Sequence, residues 1–149
     1  MRNQILRNKL IAAVMIILTA CSSTSAVTSS QAAEAVMNGC EWPEMQYITD
    51  EYILRENFGL TAEYGDITVL QCPASAVMSE IIVIRSDSPQ KAYEALEKRR
   101  TRAIERDALY PETRRIAESS VVGMSGDYAY FIMGENAAAG EDILLDTIS

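Results

Sequence analysis

Eight basic residues crowd into one helical stretch: Lys91, Lys98, Arg99, Arg100, Arg102, Arg106, Arg114 and Arg115. At ~100° per residue, Lys91, Lys98, Arg99, Arg102 and Arg106 fall on one stripe of a helix. Glu94, Glu97 and Glu105 lie beside that stripe. Two readings follow. The stripe is a solvated face, supported by pairs such as Glu94–Lys98 at ~0.2–0.5 kcal/mol each. Alternatively, Lys98, Arg99, Arg102 and Arg106 form a positive surface on an otherwise acidic domain, turned toward an anionic envelope polymer, lipid headgroups or an acidic partner.

Arg100 is set apart. Its azimuth falls among Tyr93, Leu96, Ala103 and Ile104, on the apolar side. A guanidinium there must be paired. Asp107, two turns on, is one candidate partner, and a ligand carboxylate or phosphate is another. Tyr110, Tyr128 and Tyr130 could line a groove or seal a core edge.

Other chemistry is disfavoured. The chain has no histidine, so Ser/His and Cys/His nucleophilic arrangements are excluded, and Cys40 and Cys72 alone make no zinc ligand set. Neither GxGxxG nor a Walker-type loop occurs. No cofactor and no metal are expected. The 21 acidic residues outnumber 13 basic ones, which argues against nucleic acid as a partner.

The chain opens with Arg2, Arg7 and Lys9, followed by an apolar run from Leu10 to Leu18. The run is about half of the ~20 residues that span a bilayer. It reads as a secretory signal instead. Leu18-Thr19-Ala20-Cys21 resembles the lipobox of bacterial lipoproteins, which implies a diacylglycerol on the Cys21 thiol and cleavage before it. Residues 1–20 are therefore expected to be a signal peptide, and lipid on Cys21 to hold the protein on the extracytoplasmic face of the cell membrane. Loss of the leader's three positive charges takes the net charge from −8 to −11. Ser22 to Met37 is Ser, Thr and Ala with little else, so residues 21–41 are expected to be a flexible linker.

Residues 42–149 then read as a single domain. Ile48–Gly59 predicts a helix capped by Thr49, with Ile53, Leu54 and Phe58 facing the core. Asp66–Cys72 and Glu80–Arg85 predict strands. Ser88–Leu109 predicts the longest helix, with Pro89 in its first turn, and Pro111 starts a shorter one. Ser119–Met124 and Tyr128–Met133 predict a hairpin around Gly126. The second of these strands is apolar on both faces. Asn136 caps a last helix containing Ile143, Leu144 and Ile148. The expected fold is α+β: about four strands, mainly antiparallel, with helices packed on one face. Cys40 and Cys72 could form a disulfide, since an extracytoplasmic location permits one.

The stretches SEIIVIRS, KAYEALEKRR, YPETRRIAESSVV and SGDYAYFIMG, in this order and spacing, resemble the bacterial domain of unknown function 4358. The resemblance covers most of the chain after residue 47. It implies a small lipoprotein on the outer face of a single cytoplasmic membrane, of the kind found in Gram-positive anaerobes, without a structural disulfide. It implies no activity and no catalytic residues. The reading is a membrane-anchored, non-enzymatic binding or accessory module. Its alternatives are an enzyme with a carboxylate–arginine site and a binder of anionic envelope polymer.

Overall fold

Glu80-Ile-Ile-Val-Ile-Arg85 is apolar at four successive positions, as a strand covered on both faces must be. A computed structural model, which describes residues 26–149 apart from residue 75, places it at the centre of a sheet. The strands are β1 (Gln46–Tyr47), β2 (Asp66–Gln71), β3 (Glu80–Arg85), β4 (Val121–Ser125) and β5 (Tyr128–Met133). Their spatial order is β1-β2-β3-β5-β4, with every pairing antiparallel. The helices are α1 (Ser29–Gly39), α2 (Glu51–Ile53), α3 (Pro89–Arg102), α4 (Pro111–Glu118) and α5 (Ala137–Ile148). The class is α+β, as expected. The extra strand, β1, is two residues long, too short to leave a periodic pattern.

Alternation along β3 and β5 divides the core in two. Ile82, Ile84, Ala129, Phe131 and Met133 meet Leu96, Ala103 and Ile116 on the α3 and α4 side. Ile81, Val83, Tyr128, Tyr130 and Ile132 meet Val36 and Leu144 from α1 and α5 on the other. Helices therefore cover both faces, not one. The two-sided apolar pattern of β5 already required this.

The larger correction concerns the expected linker. Residues 29–39 of that 21–41 segment form α1, which begins with a reciprocal cap: Thr28 Oγ1 accepts from Gln31 N and Gln31 Oε1 accepts from Thr28 N. Alanine is the strongest helix former. Ala32, Ala33 and Val36 are fully buried, and their small side chains let the helix lie close to the sheet. Ser29 Oγ shares a 2.8 Å hydrogen bond with Thr68 Oγ1 of β2. The stripe is too narrow to signal burial by itself; the sheet supplies the missing apolar area. The leader and Cys21 lie outside the described residues.

Two helix ends also differ from expectation. Asp50, not Thr49, caps α2, its Oδ1 accepting from Ile53 N at 3.0 Å. The helix predicted over Ser88–Leu109 ends as an α-helix at Arg102 and continues as a wider π turn, Ala103–Asp107, closed by Ala108 N donating to Ala103 O at 2.9 Å. The β4–β5 hairpin turns as expected at Gly126, whose φ of 53° suits glycine. Gly123 is constrained differently: a Cβ there would stand inside the Tyr130 ring. Gly123→Ala should displace that ring and loosen its hydroxyl from Glu141 Oε1, a 2.8 Å bond. We expect a cost of about 1–3 kcal/mol, read from the urea midpoint.

Candidate functional site

The buried face of α3 consists of Ala92, Ala95, Leu96 and Arg99, and Ala103 continues it into the π turn. Spacings of three and four place them on one side. Arg99, only 5% exposed, therefore points inward at the sheet end where β3 begins. There it meets Glu80, the first residue of β3 and 1% exposed. Nε donates to Glu80 Oε1 at 2.8 Å and Nη2 to Oε2 at 2.6 Å, a bidentate pair. Nη1 donates to Asp107 Oδ2 at 2.6 Å. The Phe58 ring centroid lies 5.3 Å from the guanidinium carbon. Gln71, the register partner of Glu80, donates from Nε2 to Glu80 Oε2 at 3.3 Å.

The π turn is what makes Asp107 available. Eight residues of α-helix overshoot two turns by about 80°. One extra residue in the last turn takes up much of that excess and returns Asp107 toward the azimuth of Arg99. Burial by itself pushes the Arg99 pKa down; the facing carboxylates of Glu80 and Asp107 outweigh it and hold the guanidinium charged. A small hollow of about 180 Å³ opens beside this cluster, with Cys72, Val77, Met78 and Met133 among its walls. Small-molecule sites typically occupy about 300–1,000 Å³.

Several sequence expectations change here. Arg99 is not part of an open basic stripe, and Arg100 is not the buried guanidinium. Arg100 is half-buried and donates to Ser120 Oγ (3.3 Å) and the Glu118 carbonyl (3.0 Å), not to Asp107. The two exchange roles because alanines mark the inner face weakly. An apolar face drawn through Tyr93, Leu96 and Ile104 is displaced by one residue. Lys98 and Arg106 remain exposed. Arg102 is half-buried and donates to the Glu56 carbonyl at 2.7 Å, tying α3 to the segment after α2. Sequence reading missed Glu80 altogether, although a carboxylate at the head of an apolar strand was its signal.

Tyr128 and Tyr130 are core residues with engaged hydroxyls, bonded to the Val27 carbonyl and to Glu141. Tyr110 is exposed and joins neither. Cys40 and Cys72 are free thiols. No group of metal-ligating side chains occurs among the described residues, and no described helix is long and apolar enough to cross a membrane.

The family model for the Domain of unknown function (DUF4358) matches residues 40–134. The match spans β1 through β5 and leaves both α1 and α5 outside it. No curated protein and no solved structure matches the chain.

Proposed function

The chain belongs to the DUF4358 family, a domain of unknown function, and we propose that it is a lipid-anchored, non-enzymatic binding or accessory module on the extracytoplasmic face of the cell membrane. The observation that carries the non-enzymatic part is the closure of Arg99. All three of its nitrogens are engaged, by a buried carboxylate on one side and Asp107 on the other. A guanidinium held in this way ties α3 to the sheet and is not free to orient a substrate. A carboxylate–arginine enzyme built on Arg99 would have to operate in the small hollow beside this cluster. The anchor rests on the lipobox at Cys21.

The surface left for an acidic partner is the reduced stripe of Lys98 and Arg106, with Arg102 at its edge. In-cell cross-linking of the native protein should capture a specific envelope protein that the Lys98→Glu/Arg106→Glu variant loses. Absence of any captured protein from both forms would contradict the module reading. The anionic-polymer reading has its own mark: retention on anionic wall polymer that weakens as salt rises and disappears in the same variant. Salt-independent retention would rule it out.

A further inference from the structure

Three hydrogen bonds establish which way the sheet's backbone groups point. Cys72 N donates to Ser79 O at 3.0 Å, Ile48 N to Val69 O at 2.9 Å and Ser86 N to Asp127 O at 2.8 Å. Alternation along each strand then turns the N–H and C=O of Tyr128, Tyr130 and Ile132 toward β4. Their register partners Ser125, Gly123 and Val121 point back at β5. Val122 and Met124 therefore direct both of their backbone groups outward, at the open edge of the sheet. No described residue outside β5 hydrogen-bonds to β4.

The two sheet edges are treated differently. At one, β1 is only two residues long, a common protection against edge pairing. At the other, β4 is five residues long, uncharged, without proline, and in unbroken register with β5. Met124 is 45% exposed, and Val121 and Val122 are half-exposed.

We propose that this edge pairs with a second copy of the chain, β4 against β4, antiparallel about a twofold axis at Gly123. The outward groups are self-complementary in that register. Val122 of one copy faces Met124 of the other, and the reverse, so all eight outward backbone groups find partners in four hydrogen bonds. The same register sets Val122 beside Met124 on one face of the joined sheet, an apolar cross-strand pair made twice. Glycine leaves no side chain on the axis. An uncharged strand also matters for a chain of net charge −8, because like charges directly opposite would oppose pairing. A twofold axis closes the assembly at two copies and joins two five-stranded sheets into one.

The test uses the full chain, extracted in detergent, carrying Val121→Cys and Ser125→Cys, two positions that the axis brings opposite each other between copies. Mild oxidation should give a disulfide dimer, and peptide mass mapping should locate the link between position 121 of one copy and position 125 of the other. Adding Met124→Lys should abolish the dimer, while circular dichroism and a cooperative melt show that each chain stays folded; the melting midpoint falls only by what the lost partner contributed. A cysteine pair introduced instead at exposed α4 positions, Glu112 and Glu118, should give no dimer and controls for two chains sharing a micelle. A chain that stays monomeric, a dimer indifferent to Met124→Lys, or capture of another protein's strand at this edge would each overturn the proposal.

Discussion

Arg99→Met should destabilise the protein by about 3–5 kcal/mol, the usual cost of removing one member of a buried ion pair. The loss follows from what remains. Glu80 would stay almost fully buried with only the Gln71 amide, at 3.3 Å, to answer its charge. Urea unfolding at neutral pH should show a lower midpoint with an unchanged slope. Adding Glu80→Gln should recover much of the loss, since replacing a whole buried pair with less polar groups is often neutral. Asp107→Asn should cost far less, about 0–1 kcal/mol, as expected for a pair whose acid is open to water. Arg100→Met is the control. Its guanidinium sits at a half-buried rim on neutral acceptors, and a cost above that of Arg99→Met would show that the two roles are assigned the wrong way round.

A chain beginning at residue 40 should fail to fold, whereas one beginning at residue 26 should unfold cooperatively. Removing α1 strips cover from Leu70, Ile81 and Val83, which are fully buried. Each such side chain loses roughly 1.5–3 kcal/mol on exposure. Three of them approach the whole stability of a domain, about 5–15 kcal/mol. The stretch matched by the family model therefore lacks a layer that this fold needs: α1 and α5 both lie outside it and pack on the same face. Circular dichroism and a thermal melt distinguish the outcomes. A sharp transition from the chain beginning at residue 40 would restore residues 26–39 to the role of a tether.

Strong local patterns were legible in the sequence. EIIVIR and YAYFIM read as strands because burial on both faces leaves no ambiguity of period, and their bounds match β3 and β5. Helix α4 was legible through Pro111, and the hairpin through Gly126. What stayed hidden depends on partners distant in the chain. Helix α1 shows only alanines, which become a core stripe once a sheet is present. Arg99 reads as one of many surface cations until Glu80, 19 residues earlier, is placed opposite it. The π turn that brings Asp107 into the cluster breaks the 3.6-residue period on which the sequence argument rested. The openness of β4 is likewise a property of strand order.

Intact mass spectrometry of the protein extracted from membranes of its own cells decides whether lipid on Cys21 is the anchor. We expect a chain that begins at Cys21, carries the mass of a diacylglyceryl group and lies in the membrane fraction, whereas Cys21→Ser is released from the membrane or left unprocessed. A mature chain that begins elsewhere, or an unmodified Cys21 in membrane-bound protein, would contradict it.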